Sequence, residues 1–194
     1  SLHDALPISM YDKIMKLVKE NGLKVCMATS TGAHPAWMAR KYPDILRVEH
    51  NGMKRKFGAR HNSCPNSPNY RKYSAALVEK IAERYKDYDN IVAWHINNEF
   101  GGWCYCENCE KAFRVWLQKK YGTLDELNRV WNTAFWSHTM YDWDDVVACN
   151  MLSEEFLWDG QIRTNFQGIS LDYNRFNSDS MLECFNIEKD VLKR

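Results

Sequence analysis

The chain has 194 residues, 45% of them hydrophobic and 26% charged, which is enough apolar material for one packed domain or a piece of a larger one. The net charge is +1 and the basic residues are scattered, which argues against nucleic acid or an anionic membrane as partner. No stretch is long and apolar enough to span a bilayer.

Seven cysteines, an odd number with no secretory signal, fit a reducing cytoplasmic compartment better than a disulfide framework. Eight tryptophans and ten tyrosines are many for this length, and aromatic faces serve both as core filling and as platforms for sugar rings. The chain begins SLHDALPIS, neither a signal peptide nor a convincing first element. Residues 1–9 are therefore set aside as foreign or disordered, and 10–194 are read as the folded part.

In chain order, Ser9 to Glu20 carries Ile14, Leu17 and Val18 on one face of a helix, with Gly22 at the position of a C-terminal cap. The run LKVCMA, Leu23 to Ala28, reads as a strand buried on both faces. A loop containing Pro35, Pro43 and Gly52 follows. Ser67-Pro68 opens a second helix, whose spacing predicts a buried stripe of Tyr73, Leu77, Ile81 and Tyr85. IVAWHI, Ile91 to Ile96, is a second buried strand.

A third helix is expected from about Cys106 to Tyr121, with Phe113, Trp116 and Leu117 inward and Gly122 closing it. Thr123 to Glu126 forms a capping box for a short fourth helix. Phe135 to Gly168 looks aromatic-rich and irregular. Leu171 to Lys193 reads as a last helix presenting Met181, Leu182, Phe185 and Leu192. Strands alternating with helices predict an α/β fold with a parallel sheet, and two strands alone suggest part of a (β/α)8 barrel.

Two constellations carry chemistry. Asn97-Asn98-Glu99 directly follows an apolar strand, where barrel active sites are built. A carboxyl held there beside Trp94 and Phe100 would be hard to ionise and so suited to donating a proton, with Asn98 free to bond a sugar hydroxyl. The plainer reading is that Glu99 caps a loop or pairs with an arginine. The second constellation is Cys104-Tyr-Cys106-Glu-Asn-Cys109. Tetrahedral zinc takes four sulfur or nitrogen ligands, and four thiolates leave no open position, which makes such a site structural. Cys64 is the best-placed fourth ligand, with His61 as the alternative. A metal tether from Cys64 to the loop after Glu99 would bring Arg60, four residues earlier, into reach of the same pocket, and a guanidinium can donate to sugar hydroxyls or a carboxylate.

These segments, with LKVCMATSTGAHPAWMARKYPDIL, FGARHNSCPNSPNYRKY and INNEFGGWCYCENCEKAFRVWLQKKYGTLDELNRVWNTAFWS, resemble the glycoside hydrolase family 42 β-galactosidases from about Tyr11 to the C-terminus. The resemblance implies a retaining enzyme on a (β/α)8 TIM barrel, of which this chain holds the central part around strands 3 and 4. It implies that Glu99 is the acid/base, that Asn98 and Arg60 touch galactose, and that Cys64, Cys104, Cys106 and Cys109 hold structural zinc. The substrate would be a β-galactoside with a terminal non-reducing galactose, and the parent a homotrimer.

The family's nucleophile is a second glutamate on a later strand. Glu154, Glu155 and Glu183 do not follow a buried strand, so the chain by itself is expected to be inactive. The loop GGWC is also shorter than the family pattern leads one to expect, which leaves the role of Trp103 open. Two other functions fit the same residues: an α-L-arabinopyranosidase, whose sugar lacks only the hydroxymethyl group, and a zinc-stapled binding module in which Glu99 is incidental. A redox role for the cysteines fits less well, because they are not placed as in thioredoxin-like folds.

Overall fold

The computed structural model describes residues 8–194; the expectation for the leading segment falls largely on residues 1–7, outside that range. The element order is α1 (Ile8–Glu20), β1 (Val25–Ala28), α2 (Ala36–Lys41), α3 (Pro68–Tyr85), β2 (Ile91–His95), α4 (Glu107–Tyr121), α5 (Leu124–Trp131), β3 (Glu155–Trp158), β4 (Gln161–Thr164) and α6 (Gln167–Leu192). Short 3-10 turns at Pro43–Ile45 and Trp143–Asp145 interrupt the loops. No helix among the described residues is long and apolar enough to cross a membrane.

β1 and β2 pair in parallel, with Val25 opposite Ile91 and Ala28 opposite His95. The βαβ unit read from the sequence is thus present, with α3 as part of the crossover. Its strands are not buried on both faces, however. Cys26 and Ala93 are exposed, and Val92 is 63% exposed. Among the described residues this sheet has only these two strands.

Local signals placed the helix ends well. Ser67 Oγ accepts from the Tyr70 amide at 3.2 Å and donates to Asp44, while Pro68 takes the first helical position, where no donor is lost. Gly22 has φ +65, the conformation that ends α1 without a Cβ clash. At α5 only half of the expected capping box forms. Thr123 Oγ1 accepts from the Glu126 amide, but the Glu126 carboxylate binds Arg129 twice at 2.7 Å instead of reaching back.

Buried faces were harder to read. On α1, Met15 is buried while Ile14 and Leu17 are exposed. On α3 the inward residues are Tyr70, Ser74, Val78 and Tyr85, and Leu77 faces outward. On α6 the buried face is Ile169, Tyr173, Phe176, Asn177, Ser180, Cys184 and Glu188, with Leu182 exposed. Hydrophobic spacing misplaced these stripes because several inward positions are polar and satisfied by hydrogen bonds, which apolar periodicity does not register.

The region expected to be irregular contains an antiparallel hairpin, β3–β4, with Trp158 opposite Gln161. Its two-residue turn, Asp159-Gly160, has φ +54 and +71, and Asp-Gly is the usual composition of such turns. Leu157, Trp158 and Ile162 are all exposed; the missing polar–apolar alternation hid the strands.

The main core lies among α4, α5 and α6. Phe113 and Leu117, Leu127 and Trp131, and Ile169, Tyr173 and Phe176 are buried there. The Phe113 ring meets Tyr173 edge-on at 4.9 Å between centroids. At about 2–3 kcal/mol per buried large apolar side chain, this cluster is the principal stabiliser of the region that carries the cysteines.

Candidate active site and cysteine cluster

Cys106 is the N-cap residue of α4 and Cys109 lies in its first turn, on the same face. Cys104 arrives on the preceding extended segment, where the Tyr105 amide bonds the Val48 carbonyl at 3.0 Å. Cys64 comes from the loop before α3, its amide held by the Ile45 carbonyl at 2.7 Å. The four Sγ atoms all lie within 4.8 Å of one another. Cys64 is 3.5 Å from Cys109 and 3.4 Å from Cys106, and Cys106 is 4.0 Å from Cys109. A zinc–sulfur bond of 2.3 Å in a tetrahedron requires sulfur–sulfur edges of about 3.8 Å. The cluster matches that donor set and could hold a metal ion.

All seven cysteines are free thiols. Hydrogen bonds with Cys104, Cys109 and Cys64 lower the Cys106 thiol from its ordinary range. The cluster has a buried cation beside it. Arg47 is 7% exposed, and although burial lowers its guanidinium pKa, Cys104 and Cys64 act in the opposite direction. A buried guanidinium partly balances the charge that four metal-bound thiolates would carry. His61, the alternative fourth ligand, is not part of the cluster; its amide bonds the Gly32 carbonyl at 2.9 Å.

The same Arg47 links the cluster to the strand ends: its Nη2 donates to the Gly101 carbonyl at 2.8 Å. Beyond β2 the chain turns through two left-handed residues, Asn97 at φ +57 and Glu99 at φ +44. Asn97 is buried. Its amide donates to Thr29 Oγ1 at 2.7 Å, its Nδ2 donates to the Tyr70 hydroxyl at 3.2 Å, and its Oδ1 accepts from the Asn98 amide at 2.7 Å. Burial pushes the Tyr70 phenol up to about 12, so it remains a donor; it gives its proton to the Thr31 carbonyl at 3.0 Å.

This turn presents Glu99 to solvent beside Arg60, with Arg60 Nη2 2.9 Å from Glu99 Oε2. Arg60 thus lies in reach of the same strand-end mouth as Glu99, as the sequence leads one to expect. The expected apolar setting is not found: the Glu99 side chain is 69% exposed, and Trp94 and Phe100, both only part-buried, do not enclose it. Asn98 is part-buried on the same turn. Trp103 is 44% exposed.

A profile of the glycoside hydrolase family 42 β-galactosidases matches residues 4–194. This chain belongs to that family. It is 60% identical to a β-galactosidase of a Planococcus species over 94% of its own length and 26% of that protein. To a β-galactosidase of Lactobacillus acidophilus it is 48% identical over 96% of its length and 28% of the relative. It superposes on the crystal structure of the Bacillus circulans β-galactosidase with a TM-score of 0.92 at 63% identity, covering 98% of this chain and 28% of that one. The chain thus spans about a quarter of the length of the relatives it matches, and within the family's TIM barrel its parallel β1–β2 unit is a partial (β/α)8 sheet.

Sequence reasoning did not single out Arg47, Thr29, Thr31 or Glu188, whose hydrogen bonds surround the turn after β2. Only Asn97 left a local trace, since asparagine tolerates the left-handed region better than most residues. The others are recognisable only by what they touch.

Proposed function

We propose that this chain supplies the acid/base half of a retaining β-galactosidase acting on terminal non-reducing β-D-galactose residues. The observation that carries this reading is the Arg60–Glu99 pair, 2.9 Å apart at the C-terminal mouth of a parallel sheet, in a family of β-galactosidases. Glu99 protonates the glycosidic oxygen as the aglycone leaves, then takes a proton from the water that releases galactose. Asn98 donates to a hydroxyl of the galactose ring, and Arg60 orients Glu99 and contacts the sugar.

Retaining hydrolysis requires a second carboxylate about 5 Å from the first. Glu183 lies on α6 and Glu154 and Glu155 stand at the β3–β4 hairpin, none of them at the C-terminal end of β1 or β2 where Glu99 stands. The nucleophile therefore belongs to a part of the barrel outside these residues, and the 194-residue chain alone lacks turnover.

Zinc is the metal that Cys64, Cys104, Cys106 and Cys109 would hold. A closed four-sulfur site contributes no Lewis acid to the reaction; when bound it staples the Cys64 loop to the start of α4. Seven free thiols suit a reducing, cytoplasmic setting, and a homotrimeric parent belongs to the same reading.

The test is hydrolysis of a chromogenic β-galactoside by the full-length protein carrying this chain and by its Glu99→Gln variant. A fall in kcat of roughly 100-fold or more is expected. Unchanged turnover in that variant, or clear turnover by the isolated chain, refutes the assignment.

A further inference from the structure

Glu188 is the one fully buried carboxylate on the inner face of α6 toward its C-terminal end, at 1% exposure, and nothing in the catalytic scheme above uses it. Both of its hydrogen-bond partners are hydroxyls rather than cations. Thr29 Oγ1 donates to its Oε2 at 2.7 Å and Thr31 Oγ1 donates to its Oε1 at 2.7 Å. Burying a carboxylate is costly unless its lone pairs are filled, so its retention at this point calls for a geometric reason.

That reason lies in the atoms next along. Because Thr29 gives its only proton to Glu188, its oxygen is left to accept, and it accepts from the Asn97 amide at 2.7 Å. Thr31 carries the ring back through its carbonyl to the Tyr70 hydroxyl and on to Asn97 Nδ2. Ser30, between the two threonines, is itself left-handed at φ +58. The loop after β1, the Asn97 turn after β2, α3 and α6 are thus closed into one hydrogen-bonded circuit. Left-handed non-glycine residues such as Asn97 and Glu99 persist only where their surroundings over-determine them.

We propose that Glu188 is a positioning residue: through Thr29 and Thr31 its carboxylate holds the Asn97–Glu99 turn in the conformation that aims the Glu99 carboxyl. This rests on Glu99 being the acid/base. Glu188 touches no reacting atom. It sets the donor direction of both threonine hydroxyls, which a carboxylate can do because it only accepts, whereas an amide of the same shape would turn one bond around.

The experiment uses the full-length protein carrying this chain and two substrates, dinitrophenyl β-galactoside, whose aglycone leaves without a proton, and methoxyphenyl β-galactoside, whose aglycone needs one. Misaimed acid catalysis must slow the second selectively. For Glu188→Gln and Thr29→Val we expect kcat/KM to fall roughly 10- to 100-fold on the methoxyphenyl substrate and by less than about threefold on the dinitrophenyl one. Thr29→Ser, which keeps the hydroxyl, should restore the methoxyphenyl rate. Equal losses on both substrates, or no loss on either, overturn the proposal, as does a Thr29→Ser variant no better than Thr29→Val. Glu99→Ala is the control and should show the same selectivity, larger, with azide restoring turnover of the dinitrophenyl substrate. If Glu99→Ala slows both substrates equally, the acid/base reading falls and the brace falls with it. Selectivity in Glu99→Ala but not in Glu188→Gln sinks the brace alone.

Discussion

Arg60 Nη2 sits 2.9 Å from Glu99 Oε2 although their side chains are 60% and 69% exposed. An ion pair this open to water contributes less than about 1 kcal/mol to the fold. The pair therefore follows from the loops that carry it, the Cys64 loop and the Asn97 turn, rather than holding them together.

Arg60→Ala in the full-length protein should accordingly leave thermal stability nearly unchanged while lowering kcat/KM on an aryl β-galactoside by roughly 10-fold or more. Thermal melts and initial rates on one preparation separate the two effects. A large loss of stability with unaltered kcat/KM per folded molecule would contradict the assignment.

Elemental analysis should find one zinc per chain. Replacing the buried Cys109 by serine removes one of four ligands, so metal content should collapse and the melting temperature should drop markedly. Wild-type protein purified without chelator yet free of metal, and no less stable for it, would exclude a structural zinc.

Gly102→Ala tests the link between the cluster and the Glu99 turn. Gly102 has φ +70, and a Cβ there would stand 1.9 Å from Arg47 Nη1. The guanidinium that bonds Gly101 and lies beside Cys104 and Cys64 would have to move. A loss of about 2 kcal/mol in denaturant unfolding is expected, from strain and the displaced buried charge together. A Gly102→Ala protein as stable as wild type would show that Arg47 relocates freely.

Asp172 anchors the α4–α6 contact. Burial raises its pKa, but Lys120, Tyr121, Trp131 and Arg175 outweigh that and hold the carboxyl below its ordinary value; the Tyr121 hydroxyl donates at 2.6 Å and the Trp131 indole at 3.1 Å. A carboxyl depressed in the folded state stabilises fully above its unfolded pKa of about 3.9, and that contribution is lost as pH falls through the folded value. Asp172→Asn should cost about 3 kcal/mol at neutral pH, because it leaves Lys120 without its partner. The difference from wild type should shrink on acidification below about pH 4. A deficit independent of pH would place the effect in packing instead.

How far residue order reached is clearest at three places. Ser67-Pro68, Gly22 and Gly122 announced their helix ends because capping is local chemistry, a side chain or a missing Cβ acting within a few residues. Cys104, Cys106 and Cys109 announced a cluster that could hold a metal because ligands that must converge on one atom can be spaced closely along the chain. Glu99 was visible for a related reason, as an acid directly after a buried-looking strand.

Tertiary structure decided the rest, since it depends on residues far apart in sequence. That Cys64 and not His61 completes the cluster follows from the Ile45–Cys64 backbone bond. That Glu99 faces solvent beside Arg60 follows from two left-handed residues and a threonine from the loop after β1. Glu188 illustrates the limit best. In sequence it is one acid near the end of a helix, and apolar periodicity pointed to Leu182 and Phe185 instead. Only folding brings it 2.7 Å from Thr29 and Thr31, where a polar residue can be buried because its hydrogen bonds are complete.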